Sequence, residues 1–125
     1  MAVDTVLKSI WNMDEAVLKA IYFLKLKFVN HLKDWELDSA YWTLRNIRME
    51  VDSKLKSEEQ EMVADDLEKL EKERNEYLKN PKDSKQRGEF YLQLESYYIL
   101  LNRLMKRHGL YFREGDDPRY AVLQR

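Results

Sequence analysis

Apolar side chains recur every three to four residues along most of this chain, a spacing that predicts α-helices rather than β-strands. Four long helical segments follow from the pattern, at about residues 4–32, 34–56, 58–79 and 84–108. The connections between them are short, so consecutive helices are expected to lie side by side and run in opposite directions. The pattern therefore predicts an all-α fold, an antiparallel four-helix bundle with a short irregular C-terminal extension.

The end of the fourth helix sets the domain boundary. Arg107 and His108 place cations near the negative end of the helix dipole, and Gly109 suits the left-handed residue that caps a helix. We therefore assign residues 1–109 to the helical bundle and residues 110–125 to the C-terminal extension.

The first and third predicted helices differ in the width of their apolar surfaces. Apolar residues cover more than one face of the first helix, which predicts a central helix that is contacted on several sides. The third helix has one narrow apolar stripe and is otherwise almost wholly charged, so we expect it at the periphery of the bundle.

Ser57 marks the expected start of the third helix. Its hydroxyl can accept a hydrogen bond from an exposed backbone amide while the Gln60 side chain reaches back, as in a capping box. All three glycines and both prolines lie after residue 80, however, so no strong helix breaker separates the second segment from the third. A single continuous helix through Ser57 is therefore an alternative.

The second helix carries two apolar faces, whereas a helix at the surface of a small bundle needs only one. The first face contains Leu37, Leu44, Val51 and Leu55. The second face points roughly the opposite way and contains Trp35, Trp42 and Met49, with Arg45 beside it. Because Trp, Met and Arg are enriched at protein interfaces, we expect this second face to bind a partner protein or a second copy. The alternative is that the first or fourth helix covers it.

The composition indicates a soluble protein that folds without disulfides. The chain has 125 residues, no cysteine and a net charge of −1. This length suits one domain, and the charge balance does not favour a general nucleic-acid binder. The most hydrophobic stretch, residues 16–32, contains three lysines, so we expect no membrane span and a cytoplasmic location.

Paired carboxylates on the third helix are the main candidates for metal binding, because residues three apart share a helix face. The pairs are Glu58 with Glu61, Glu68 with Glu71 and Glu73 with Glu76. Helical nucleotide pyrophosphatases answer such a pair with Glu-x-x-Asp on the next helix, but here Glu114 and Asp117 fall in a Gly/Pro turn. Neither histidine follows a glutamate by three residues, as di-iron bundles require. We therefore expect no metal and no cofactor.

One motif points to an enzyme. The stretch Arg103-Leu104-Met105-Lys106-Arg107-His108 places an arginine and a histidine, with four residues between them, near the end of a bundle helix. It resembles the active-site pattern of HEPN-domain ribonucleases, which are all-helical domains of similar length. The resemblance covers six residues and implies that Arg103 stabilises phosphate charge while His108 serves as acid or base in RNA cleavage. Leu104 replaces the polar residue that usually follows the arginine.

A small basic and aromatic cluster near the same helix end is a candidate nucleic-acid contact. It contains Lys106, Arg107, Arg113 and Tyr111. Such clusters bind single-stranded nucleic acid by stacking bases and contacting phosphates. The alternative is a helix end with favourable cations and an aromatic cover over the core.

The expectation for function follows from the second helix. We expect a non-enzymatic interaction or assembly protein that forms a homo-oligomer or joins a larger complex as a small subunit. The alternative is a HEPN-like RNA-binding or ribonuclease module that uses Arg103 and His108. By analogy alone, small cysteine-free helical proteins of this kind often come from viruses or mobile elements.

Overall fold

The computed structural model describes the backbone of residues 2–110 and the side chains of residues 16–110. Over these residues the chain forms four α-helices and no strand, which confirms the all-α helical bundle; the antiparallel arrangement stays a prediction. The helices are α1 (Ala2–Lys33), α2 (Leu37–Val51), α3 (Ser57–Lys79) and α4 (Ser84–Arg107). None of the helices in this described part combines the length and the apolarity that crossing a bilayer requires.

The helices form two pairs that α2 joins. α1 packs against α2, α3 packs against α4, and α2 packs against α4. α2 buries seven of its fifteen residues, whereas the described side chains of α1 contribute Ile21 and Phe28 to the fully buried core. The prediction that the first helix is central was therefore wrong for the described residues, because α2 occupies that place. α3 exposes most of its charged residues to solvent, as its single apolar stripe predicts.

The helical backbone is interrupted between α2 and α3, so the alternative of one continuous helix is excluded. A short 3₁₀ helix, Asp52–Lys54, follows α2, and Leu55 and Lys56 then adopt extended backbone conformations. Leu55 is buried in the core, so the extended backbone still places an apolar side chain inside. The Gln60 side chain donates to the Asp52 carbonyl at 3.0 Å and ties the start of α3 to the turn.

The end of α4 matches its prediction. The Leu110 N–H donates to the Met105 carbonyl at 2.7 Å, and the Gly109 N–H donates to the Lys106 carbonyl at 3.1 Å. This pair of bonds is a Schellman motif, in which the residue after the cap is left-handed. Gly109 takes that conformation with a φ of 72°.

The end of α1 closes with the same pair of bonds, but without a glycine. The Glu36 N–H donates to the His31 carbonyl at 2.8 Å, and the Trp35 N–H donates to the Leu32 carbonyl at 3.1 Å. Trp35 is left-handed with a φ of 60°, which costs a residue with a Cβ about 1–2 kcal/mol. α2 therefore begins at Leu37 rather than at Asp34 as predicted.

The buried core extends one residue past the predicted bundle. Leu110, which we placed at the start of the extension, is 6% exposed and packs with the core of the bundle. The rest of the predicted extension, residues 111–125, lies outside the described residues.

The central position of α2 predicts a large cost for truncating its buried face. Leu44 has no exposed surface, so Leu44→Ala is expected to lower the free energy of unfolding by about 2–5 kcal/mol. Leu78→Ala on α3 is the matched control, because that leucine is 46% exposed and its truncation should cost less than about 1 kcal/mol. Urea denaturation measures both variants, and equal losses would contradict the placement of α2.

Candidate protein-binding surface

Three of the four predicted interface residues lie on the outer side of α2. Trp42 is 47% exposed and Met49 is 74% exposed, while Arg45 is partly buried between them. These three residues are called the α2 surface below. Trp42 and Met49 are exposed to solvent. The described side chains of α1 and α4 therefore do not cover this face of α2, which was the alternative to a binding surface.

Two guanidinium groups lie close to the Trp42 ring. Arg45 and Arg74 each place their central carbon 5.3 Å from the centre of the indole, within the range of a cation–π contact. Arg74 comes from α3, and its Nε donates to the Asp38 carboxylate of α2 at 2.6 Å. The indole is therefore held by a cation that an ion pair between two helices fixes in place.

Tyr41 is buried and contacts both Trp42 and Arg45 of the α2 surface. Its ring is buried, meets Trp42 edge to face at 5.1 Å, and has Arg74 at 4.7 Å from its centre. The Tyr41 hydroxyl donates to Glu71 at 3.3 Å and accepts from Arg45 at 3.4 Å. Burial is the main cause that raises the pKa of the Tyr41 phenol, so the hydroxyl stays protonated and keeps donating.

Trp35 does not continue this surface, contrary to the predicted stripe. A spacing of seven residues keeps side chains on one face only inside a helix, and Trp35 lies in the turn before α2. Its indole packs on Tyr91 of α4 with ring centres 4.8 Å apart, and Arg87 lies 5.3 Å from its centre. Trp35 is still 51% exposed, so it is a separate aromatic site on the corner between α1 and α2.

A buried glutamate joins the start of α3 to the end of α4. Glu59 is 4% exposed, and its Oε1 accepts from the Lys56 backbone N–H at 2.9 Å and lies 2.6 Å from Nε2 of His108. Arg107 reaches its other oxygen at 3.4 Å. The helix start is thus capped by Glu59 at Lys56, one residue before the predicted pair of Ser57 and Gln60.

The two residues of the ribonuclease pattern have different neighbours in the structure. His108 follows α4 as its capping residue and directs Nε2 at Glu59. Arg103 lines an open groove between α3 and α4, which we call the α3–α4 groove and which Met62, Leu92 and Ile99 also line. His108 is not among the residues that line that groove, and its Nε2 is already engaged by Glu59.

The basic cluster is described only in part. Lys106 and Arg107 are exposed at the end of α4, and part of the Arg107 charge is directed to Glu59. Lys106 also lies near Lys25 of α1, and burial followed by this neighbouring charge lowers the pKa of Lys25. Tyr111 and Arg113 lie outside the described residues, so their part of the nucleic-acid hypothesis stays a prediction.

Two residues central to these sites were missed as functional candidates. Arg74 falls in line with the apolar stripe of α3, and a cation at an inward position on a charged helix is the signal that could have drawn attention to it. Glu59 is one of many glutamates near the start of α3, and its sequence context does not set it apart. Its contact with His108, which follows α4, comes from a distant part of the chain.

Comparison of the chain with protein-family models, with curated protein sequences and with solved structures found no match. Among the described residues, no group of three or more histidine, aspartate or glutamate side chains is arranged to hold a metal ion. Function must therefore be argued from the surfaces themselves.

The left-handed backbone at Trp35 predicts an unusual order of variant stabilities. Trp35→Gly and Trp35→Ala both lose the contact with Tyr91, but only glycine takes a φ of 60° without steric cost. Trp35→Gly is therefore expected to be more stable than Trp35→Ala by about 1 kcal/mol. At the exposed helical position Asn46 the order should reverse, since glycine costs about 1 kcal/mol there. Thermal unfolding of the four variants tests this, and a lower stability for Trp35→Gly would contradict the assigned backbone.

The Glu59 cluster predicts a loss of stability in acid. The Lys56 backbone N–H, followed by His108, lowers the pKa of Glu59 below its usual 4.5. A carboxylate with a lowered pKa stabilises the folded state fully above its unfolded pKa, and this stabilisation is lost as the pH falls through the folded pKa. Glu59→Gln should therefore melt at a lower temperature than wild type at neutral pH, and the difference should shrink below about pH 4.5.

Melting temperatures measured between pH 3 and pH 7 check this expectation. Glu61→Gln is the control, because Glu61 lies two residues after Glu59 in the same helix and is exposed. A gap between wild type and Glu59→Gln that stays constant over the whole pH range would show that the carboxylate charge is not what stabilises the cluster.

Proposed function

We propose that this protein is a non-enzymatic protein-binding or assembly subunit that self-associates or docks a partner through the α2 surface. The observation that carries the proposal is the exposure of Trp42 and Met49 on a helix whose opposite face forms the core. Burying a tryptophan and a methionine removes a large apolar area from water, and tryptophan is prominent among the residues that dominate binding energies.

The support around Trp42 also favours a binding role. Association costs entropy for every side chain that must be fixed, and that cost is smaller when the side chain is already held in one orientation. Arg74 and Arg45 both lie within cation–π range of the indole, and Asp38 pairs with Arg74. The face presented to a partner is thus partly preorganised, with arginine donors next to the apolar groups.

The contacts of His108 favour a structural role over the ribonuclease alternative. General acid–base catalysis requires a ring nitrogen within reach of the substrate proton, in a cleft that also holds the phosphate. Nε2 of His108 is directed at Glu59, and Arg103 lines a different part of the surface. A cytoplasmic location and an origin in a virus or mobile element belong to the same proposal and rest on composition and analogy.

The proposal predicts that a charge at the centre of the α2 surface disrupts assembly. Trp42→Glu should lower the mass measured by light scattering, because burying an unpaired carboxylate against another protein is costly. Helicity measured by circular dichroism should survive, since Trp42 is about half exposed and two arginines lie beside it.

Leu78→Glu is the matched control for this experiment. Leu78 is 46% exposed, close to the value for Trp42, but it lies on α3. It should leave the assembly mass unchanged. An unchanged assembly in Trp42→Glu, or an equal loss in both variants, would count against binding through the α2 surface.

A further inference from the structure

A second exposed apolar pair lies on the outer side of α4. Leu92 is 65% exposed and Ile99 is 49% exposed, and Met62 of α3 adds a third apolar side chain to the α3–α4 groove. Leu92 and Ile99 are seven residues apart, which is also the spacing of Trp42 and Met49. At 1.5 Å of rise per residue, each pair spans about 10.5 Å along its helix.

The polar residues between the two pairs are complementary. Arg45 and Asn46 lie between Trp42 and Met49, at the positions three and four residues after the tryptophan. Glu95 and Ser96 occupy the corresponding positions after Leu92. Both faces therefore read apolar, charged, polar, apolar, with opposite charges at the matched position.

These charges are available for a partner. Within residues 16–110, neither Arg45 nor Glu95 forms an ion pair. In the described part of the chain, the Arg45 guanidinium lies near the rings of Tyr41 and Trp42 and donates to the Tyr41 hydroxyl. Asp65 and Asp66 line the same groove as Glu95, and so do the cations Lys69 and Arg103, so the groove carries three carboxylates against two cations.

One molecule cannot join these two faces to each other. α2 and α4 already pack against one another, and each contributes buried residues to the common core, Leu44 and Leu94 among them. Their outer faces point away from that contact, because residues on opposite sides of a helix cannot meet the same neighbour. The complementary faces can therefore meet only between two copies of the chain.

We propose that the α2 surface of one copy docks into the α3–α4 groove of a second copy. The two helices run parallel in this contact, so that Trp42 lies against Leu92 and Met49 against Ile99. This direction also places Arg45 opposite Glu95. The inference rests on the proposed function, and it names the partner of the α2 surface as a different face of the same protein.

Contact between two unlike faces has a consequence for the size of the assembly. Each molecule offers one α2 surface and one α3–α4 groove, so the contact is heterologous. Such contacts repeat from molecule to molecule until a ring closes or a filament forms, unless both contacts close within one dimer. Because the two faces are different, a substitution on the α2 surface leaves the α3–α4 groove intact, and a substitution in the groove leaves the α2 surface intact.

Mixing two single variants tests the proposal. Trp42→Glu blocks the α2 surface and keeps the groove, whereas Ile99→Glu blocks the groove and keeps the α2 surface. Each variant alone should be monomeric by sedimentation equilibrium, with the dissociation constant raised by about thirtyfold or more, as for an interface hot spot. An equal mixture should form a one-to-one complex, because each variant supplies the face that the other lacks. Formation of this complex also shows that both variants are folded.

Other results would overturn the inference in distinguishable ways. If Ile99→Glu assembles like wild type while Trp42→Glu is monomeric, the α2 surface binds something other than the groove, and only the proposed function stands. If both variants are monomeric but do not complement each other, the contact does not join these two faces. A monomeric wild-type protein would remove the inference together with the self-associating form of the proposed function.

A charge exchange gives a second, independent measurement. Arg45→Glu should weaken association, since it places a carboxylate opposite Glu95. Adding Glu95→Arg in the same chain restores an opposite pair between copies and should recover association by about fivefold or more, within the range of pairwise couplings. No recovery in the double variant would overturn the proposed pairing of Arg45 with Glu95.

Discussion

The packing of α2 against both α1 and α4 is the constraint on which the rest of the molecule depends. One face of α2 must supply the core for two neighbours, and residues such as Leu44 and Ile47 are fully buried as a result. α1 and α4 both pack on this buried face, so the apolar side chains on the opposite face of α2 remain exposed to solvent. The same helix thus stabilises the monomer with one face and offers Trp42 and Met49 to a partner with the other.

Two ion pairs between helices add to the contacts of the apolar core. Asp38 with Arg74 joins α2 to α3, and Glu59 with His108 joins the start of α3 to the end of α4. Ion pairs in water add little to stability on their own, but a buried carboxylate without its partners is costly, so such pairs penalise wrong arrangements of helices. The two pairs therefore fix how α3 sits on the other helices, which its narrow apolar stripe leaves less well determined.

Much of the fold follows from local pattern, and two of the errors involve contacts with residues far along the chain. The spans of α3 and α4 match their predictions closely, because Pro81 and Gly109 act on the chain next to them. The start of α2 and the cap of α3 were misplaced, since Trp35 is held by Tyr91 and Glu59 is held by His108. Both partners come from α4, far along the chain, and no periodicity within α1, α2 or α3 reveals them. The exposed residues of α2 were predicted from the same periodicity that predicts its core.

The tryptophan at the corner of α1 and α2 has a consequence for the order of folding. A glycine would let that corner close as soon as α1 forms, whereas Trp35 must adopt an unfavourable backbone conformation whose cost is offset by contacts from Tyr91 and Arg87. Closing a long loop is entropically costly and slow, so such compensation arrives only when α4 has come into place. The turn between α1 and α2 is therefore expected to become ordered late in folding, after α4 has packed against it.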